Sequence, residues 1–402
     1  MSKVKQLKSY AKLISNVGIE ASPLQNVLII AHVEASEFVH YLVSELYKSH
    51  VKKVEVIYKD YTLEKLALKN EHKKYIKKID FWREKRVESF ANNNFAIISL
   101  VGSDPVVFNH LNDLRREERI KIFREKFAVH LSKYNSNLLS WVEACCPTRD
   151  LATLVFPELT PTQALQTMWK IIYESCHMLI PKVNPIKGFR EHIARLDTIA
   201  NKINNLNLKS FRVTTSLGTD LTFEFNEYNF SSLHFFDSEF KHHFFANMPS
   251  ELIGSCLKNV KVNGHAVSSK DIFYESKNLV GCSIDIVDNK VTVHSNDKDT
   301  KYILQSSNFI DVDKIGLVDN SCPLARYNKN FMLHLFNRNS STHLVIKSKR
   351  KDCPETESEK IALYSFEKDL IFPIGTDDLT IIGKVKETNE EIVIMKNGKF
   401  VD

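Results

Sequence analysis

The chain has 402 residues, 43% of them hydrophobic and 26% charged, with a formal net charge of +6. These values exclude a disordered or low-complexity protein and predict a soluble globular one of two or more domains. The charge is too small for a nucleic-acid footprint, and the longest apolar runs, such as residues 27–31, fall far short of the roughly 18 residues of a membrane span. The N-terminus is charged and helix-like, without the apolar core of a secretory signal. Seven cysteines, at 145, 146, 176, 256, 282, 322 and 353, are odd in number and irregular in spacing. That argues against a disulfide framework or a cysteine zinc site and predicts a cytoplasmic protein.

In chain order, NVLIIAHV (26–33) is an apolar run of strand length. A helix over 34–50 follows, with Phe38, Leu42, Val43 and Leu46 on one face. KKVEVIYK (52–59) and NFAIISLVG (94–102) read as further strands, and Asp104-Pro105 as a helix start with Asp at the N-cap. Strands joined by crossover helices predict a parallel sheet with helices on its faces. Thr160 to Gln163 has the form of a capping box, opening a helix with Ala164, Leu165, Met168, Ile172 and Cys176 as its apolar stripe. LIPKVNPIKG (179–188) reads as an interdomain linker, which divides the chain into 1–185 and 186–402.

Another amphipathic helix carries Phe189, Ile193, Leu196, Ala200 and Ile203, and then the texture changes. FRVTTS (211–216), DLTFEF (220–225), CSIDIVDNKVTVHS (282–295), DLTIIGKV (378–385) and EEIVIMKNGKF (390–400) are short strands, with hairpin turns at Asp288-Asn289 and Asn397-Gly398. The predicted fold class is an α/β N-terminal domain, a parallel sheet with flanking helices, followed by an α+β, β-rich C-terminal domain. Two basic stretches, 69–86 and 115–127, read as solvated helix faces, the first with Ile76, Ile79, Phe81 and Trp82 turned inward. The first, with its interleaved aromatics, also has the composition of a phosphate-contacting surface.

Serine-hydrolase, P-loop, dinucleotide and H-E-x-x-H motifs are absent. His242 and His243 are adjacent, so on a strand they point to opposite sides. His265 reads as a turn residue, His334 as packed in apolar surroundings, and Asp220 as a backbone cap or turn. Six short motifs remain. CPTRDLATLVFPELT (146–160), GTDLTF (218–223), ANMPSE (246–251), VNGHAVSS (262–269), NSSTH (339–343) and IFPIGTDDL (371–379) follow one another in this order.

By the order and spacing of these motifs the chain resembles the metallo-aminopeptidase family of aminopeptidase T and aminopeptidase S over nearly its whole length. The resemblance implies a dimer whose C-terminal domain holds two divalent cations, which polarise a scissile carbonyl and activate water to release N-terminal amino acids. Carried over residue by residue, two metal-ligand positions are kept, Glu251 and His343. Two family glutamates fall on Lys314 and Arg338, a tyrosine falls on Arg350, and a His-x-Asp pair falls on Asp369 and Ile371.

Two ions need more ligands than Glu251 and His343 supply. The expectation is a degenerate family member without a cofactor, a pseudoenzyme or repurposed enzyme. Lys314 or Arg338 would replace the cations against Glu251 and Asp369, and the surplus charge, Arg350 included, would bind a peptide or small anionic ligand in the interdomain cleft. A desolvated Lys314 would also serve as base or nucleophile. The alternative is an active aminopeptidase with zinc, cobalt or manganese in a rebuilt site that recruits Asp319, Asp369 or Asp377. Either way the expected protein is a cytoplasmic homodimer with no nucleic-acid or membrane partner.

Overall fold

A computed structural model describes all residues except 1–2, 109–114, 117, 124–125, 128–137, 238–240, 258–259, 275, 308, 349–368 and 402. The described residues fall into two compact units. One comprises residues up to Gly188 together with His234–Met248, and the other comprises Phe189–Leu233, Pro249–Asp352 and the C-terminal segment.

Four parallel strands form most of the first unit's sheet: β1 (Asn26–His32), β2 (Lys53–Lys59), β3 (Phe95–Val101) and β4 (Trp141–Cys145). They lie in the order β2-β1-β3-β4. The apolar runs that mark β1 and β3 are buried almost without interruption, as expected of strands covered on both faces. Helices α1 (Lys3–Leu13) and α2 (Ser36–Lys48) pack together, with Tyr10 stacked on Phe38 at 5.4 Å between ring centroids. In α3 (Phe81–Asn92) the inward direction predicted for Phe81 and Trp82 is corrected. They are 71% and 58% exposed, and Val87, Phe90 and Ala91 form the buried face instead. The predicted capping box is present at α4 (Pro161–Ser175), with both reciprocal hydrogen bonds formed by Thr160 and Gln163.

Two local expectations change here. Asp104 does bind the backbone ahead, accepting from the Val106 amide at 2.9 Å, but residues 105–108 form turns rather than a helix. The segment 234–248, assigned to the second domain by the division at 185, returns to the first unit. Its short strand Asn247–Met248 pairs in parallel with β4, and Asp237 accepts from the Ser140 amide at 2.7 Å. A two-residue edge strand carries too little pattern to be read from sequence.

The division falls inside helix α5 (Pro185–Asn205), between Gly188 and Phe189, so the last four residues of the predicted linker are helical. The second unit is built on twelve antiparallel strands. Eleven are ordered β13-β12-β11-β10-β9-β8-β6-β5-β14-β15-β16, and β7 pairs with β11. In chain order they are β5 (Leu208–Thr214), β6 (Asp220–Phe225), β7 (Leu252–Cys256), β8 (Val260–Val267), β9 (Cys282–Val287) and β10 (Lys290–Ser295). The remainder are β11 (Phe309–Val318), β12 (His343–Ser348), β13 (Leu370–Pro373), β14 (Thr380–Val385), β15 (Glu391–Lys396) and β16 (Lys399–Phe400).

The β9–β10 hairpin turns at Asp288 and Asn289, both at positive φ, as a two-residue primed turn requires. Asp220 and His265 are strand residues rather than turn residues. Asp220 accepts from Arg212 Nε at 2.7 Å, and His265 Nδ1 lies 2.7 Å from Asp285 Oδ1. The parallel sheet with flanking helices and the large antiparallel sheet are the two halves of the predicted fold class.

Candidate functional site

The charged residues singled out in the second half that the structure describes all belong to the second unit. Glu251 precedes β7 and is 4% exposed. Its amide donates to Asn339 Oδ1 at 2.7 Å, and Asn339 in turn donates to Leu335 O at 2.7 Å from the helix α6 (His334–Arg338). One carboxylate oxygen of Glu251 lies 3.2 Å from His192 Nε2, while the other is buried without a hydrogen-bond partner among the described residues. An orphaned carboxylate oxygen is costly, so its presence marks a place where a proton donor or cation belongs.

His192 is set on α5, between the buried Phe189 and Ile193, and its Nε2 also lies 2.9 Å from Ser250 O. Burial by itself lowers the imidazole pKa, but the hydrogen bond to Glu251 and that carboxylate's charge outweigh it, and the net direction is upward. The neighbouring Cys322 thiol is pushed up, first by burial and then by the Glu251 charge, and it donates to Asn339 O at 3.6 Å. It is a protonated, inert thiol.

His343 opens β12 and is 2% exposed. Its register partner on β11 is Gly316, and a Cβ added there would lie 2.4 Å from the imidazole Cε1. The glycine is what lets the ring lie against the strand. The His343 Nδ1 is 2.9 Å from Ser341 O. β7 begins opposite Val318 and β12 begins opposite Gly316, so Glu251 and His343 approach the same end of β11.

Lys314 is placed elsewhere. It pairs with Cys256 while Leu252 pairs with Val318, an offset of roughly 13 Å along the strand. Its ammonium lies 3.6 Å from Asp313, which also takes Lys347 at 3.0 Å. Arg338 ends α6, half-buried, one residue before Asn339. Asp369 is half-buried just before β13, and Ile371 is buried within that strand opposite Val345. Asp319 accepts from the Ser321 amide and Asp377 is exposed. Arg350 lies outside the described residues.

Two residues were missed by the sequence reading. His192 was hidden among the apolar stripe of α5. Lys270 directly follows VNGHAVSS and carried no signal beyond that adjacency. Its amine donates to Ser340 Oγ at 2.8 Å and to Lys329 O at 3.4 Å, with no carboxylate partner among the described residues. Burial pushes its pKa down to about 8.

Comparison with known proteins adds three findings. A family model described as thermophilic metalloprotease (M29) matches residues 3–400. The chain is 24% identical to aminopeptidase PepS of Streptococcus thermophilus over 98% of both chains, and 24% identical to aminopeptidase AmpS of Bacillus subtilis (strain 168), again over 98% of both. Among solved structures, wild-type AmpT from Thermus thermophilus superposes with a TM-score of 0.85 at 18% identity, over all of both chains, a likeness of fold.

Proposed function

Since the chain belongs to the thermophilic metalloprotease family M29, we propose that it binds a peptide or a small anionic ligand and has given up the dinuclear metal chemistry of its family. The observation that carries this reading is Ile371. It stands where the family resemblance calls for a carboxylate, and its hydrocarbon side chain is buried in the β12–β13 pairing with no atom that can ligate a cation. The donor set is correspondingly short. Zinc takes three or four protein ligands per ion, whereas the retained positions supply Glu251 and His343. Lys314, at a second carboxylate position, is a cation engaged by Asp313. These residues do not fit a pair of divalent ions. Without the ions, what remains for binding is hydrogen bonding and charge: the buried Glu251–His192 pair, the Asn339 amide that orients it, and the cationic Arg338 one residue before Asn339.

A second reading, an active aminopeptidase with a rebuilt site, is favoured by one specific feature. The orphaned oxygen of Glu251, with His192 3.2 Å from its other oxygen, offers a carboxylate and an imidazole to a single ion. The names of the relatives point the same way. Elemental analysis of protein purified without chelator, with hydrolysis of aminoacyl p-nitroanilides under added zinc, cobalt or manganese, decides between them. The leading reading expects less than one equivalent of metal and no turnover. Two equivalents with metal-dependent release of the N-terminal residue would overturn it. The cytoplasmic location and homodimer belong to the same proposal; free thiols at all six described cysteines support a reducing compartment. Among the described residues, no helix is long and apolar enough to cross a membrane.

A further inference from the structure

We propose that a groove in the first unit, lined by α1 and the C-terminal turn of α2, is a binding site for a phosphorylated small molecule. The cavity has a volume of about 670 Å³, within the range of small-molecule sites. Lys5, Lys8, Lys12 and Lys48 line it, and Glu45 is the sole acidic residue among its lining. Glu45 is already neutralised by Lys48 at 2.6 Å. Lys5, Lys8 and Lys12 have no carboxylate partner among the described residues, and they follow the i, i+3, i+7 spacing that places them on one face of α1.

This arrangement works against the helix that carries it. α1 reads KVKQLKSYAKL, with no acidic residue in its first turn or anywhere along it. Cations in the first turn oppose the helix dipole, and like charges three and four residues apart repel. Of the four lysines on α1, only Lys3 has an acidic neighbour, Glu37 at 3.9 Å. An anion in the groove would remove both penalties at once.

The groove also has polar groups for the rest of a ligand. Ser9, Asn16 and Ser49 line it, half-buried, with Ser49 Oγ donating to Asn16 Oδ1 at 3.3 Å. A concave site of this size, with three ammonium groups that have no carboxylate partner among the described residues, suits two or more phosphate charges on a body bearing hydroxyl groups. A flat anionic membrane could not fill it.

Inorganic pyrophosphate is the probe, titrated calorimetrically into the full-length protein at low ionic strength. The expected result is one site per chain, weakened by salt as exposed ammonium–phosphate contacts are. Lys5→Gln/Lys12→Gln should weaken binding by about tenfold or more, while Lys5→Arg/Lys12→Arg keeps it and Lys53→Gln, on β2, leaves it unchanged. The glutamine pair should unfold at a temperature equal to or above wild type, since it relieves repulsion. Independently of any variant, pyrophosphate should protect Lys5, Lys8 and Lys12 from reductive methylation read by mass spectrometry. Absence of binding at millimolar pyrophosphate, equal binding by the glutamine pair, or no protection of these lysines would overturn the proposal. So would association with phosphatidylserine vesicles that pyrophosphate does not displace.

Discussion

The parallel and antiparallel sheets of this protein handle charge in opposite ways. In the first unit, β1 is buried from Val27 to His32 and β3 from Phe95 to Leu100, because helices cover both faces. Charge there is displaced to helix surfaces, as in the lysine face of α1. In the second unit, β10 has no buried residue and β9 alternates, so one face of that sheet meets water. Charges can then pair across strands. Arg212 binds Asp220, and His265 and His294 flank Asp285 at 2.7 and 2.9 Å. The lesson is that a charge buried in the second unit stands out, because a solvated alternative lay one residue away. Glu251 is such a charge, and the half-buried Lys270 comes close to one.

The largest test of this contrast is in the hydrocarbon core. Ile29→Ala in β1 should cost about 2–5 kcal/mol in urea denaturation, whereas Thr292→Ala on the exposed face of β10 should stay within about 0.5 kcal/mol. Comparable losses at the two sites would break the comparison.

Lys270→Met sharpens it next. Burial brings the folded-state pKa of Lys270 down to about 8 from the ordinary lysine value of 10.5. Between those values the unfolded chain binds the extra proton, so wild-type stability rises with pH across that window. Below pH 8 the full penalty applies, up to about 3 kcal/mol before the lost hydrogen bonds are set against it. The methionine variant should therefore gain most near pH 7, and its advantage should fade toward pH 10.5. A pH-independent difference would show that the amine is not desolvated.

Gly316→Ala places a methyl against the His343 ring and should cost about 1–3 kcal/mol, with a shift of the His343 imidazole resonances. An unperturbed imidazole spectrum would mean the strand and ring have room to part. The smallest effect belongs to the solvated face. Arg212→Ala should leave the denaturation midpoint near wild type, and any loss should disappear in high salt.

Much of this was legible in one dimension. The apolar runs of β1 and β3, the capping box at Thr160 and the Asp288-Asn289 turn depend on neighbours within a few residues, and each formed as read. The motif order that carries the family resemblance is likewise a property of the chain, and the match over residues 3–400 agrees with it. Phe81 and Trp82 were misplaced because aromatic character implies burial only where a partner surface exists. His192 escaped notice because a histidine between two core positions looks the same whether it fills space or faces a carboxylate.

By itself, then, the sequence determined the two textures, their local turns and caps, and membership in the family. Those follow from periodicity and from contacts between near neighbours. Tertiary structure decided which charges meet. It set Lys314 against Asp313 rather than Glu251, brought His192 to Glu251 across 59 positions of the chain, and placed the half-buried Lys270 beside Ser340. It also paired Asn247–Met248 with β4 of the first sheet. The physical reason is common to all four. A charge or an edge strand is satisfied by whatever the fold brings within about 4 Å, and for His192, Lys270 and Asn247–Met248 that partner is distant in sequence.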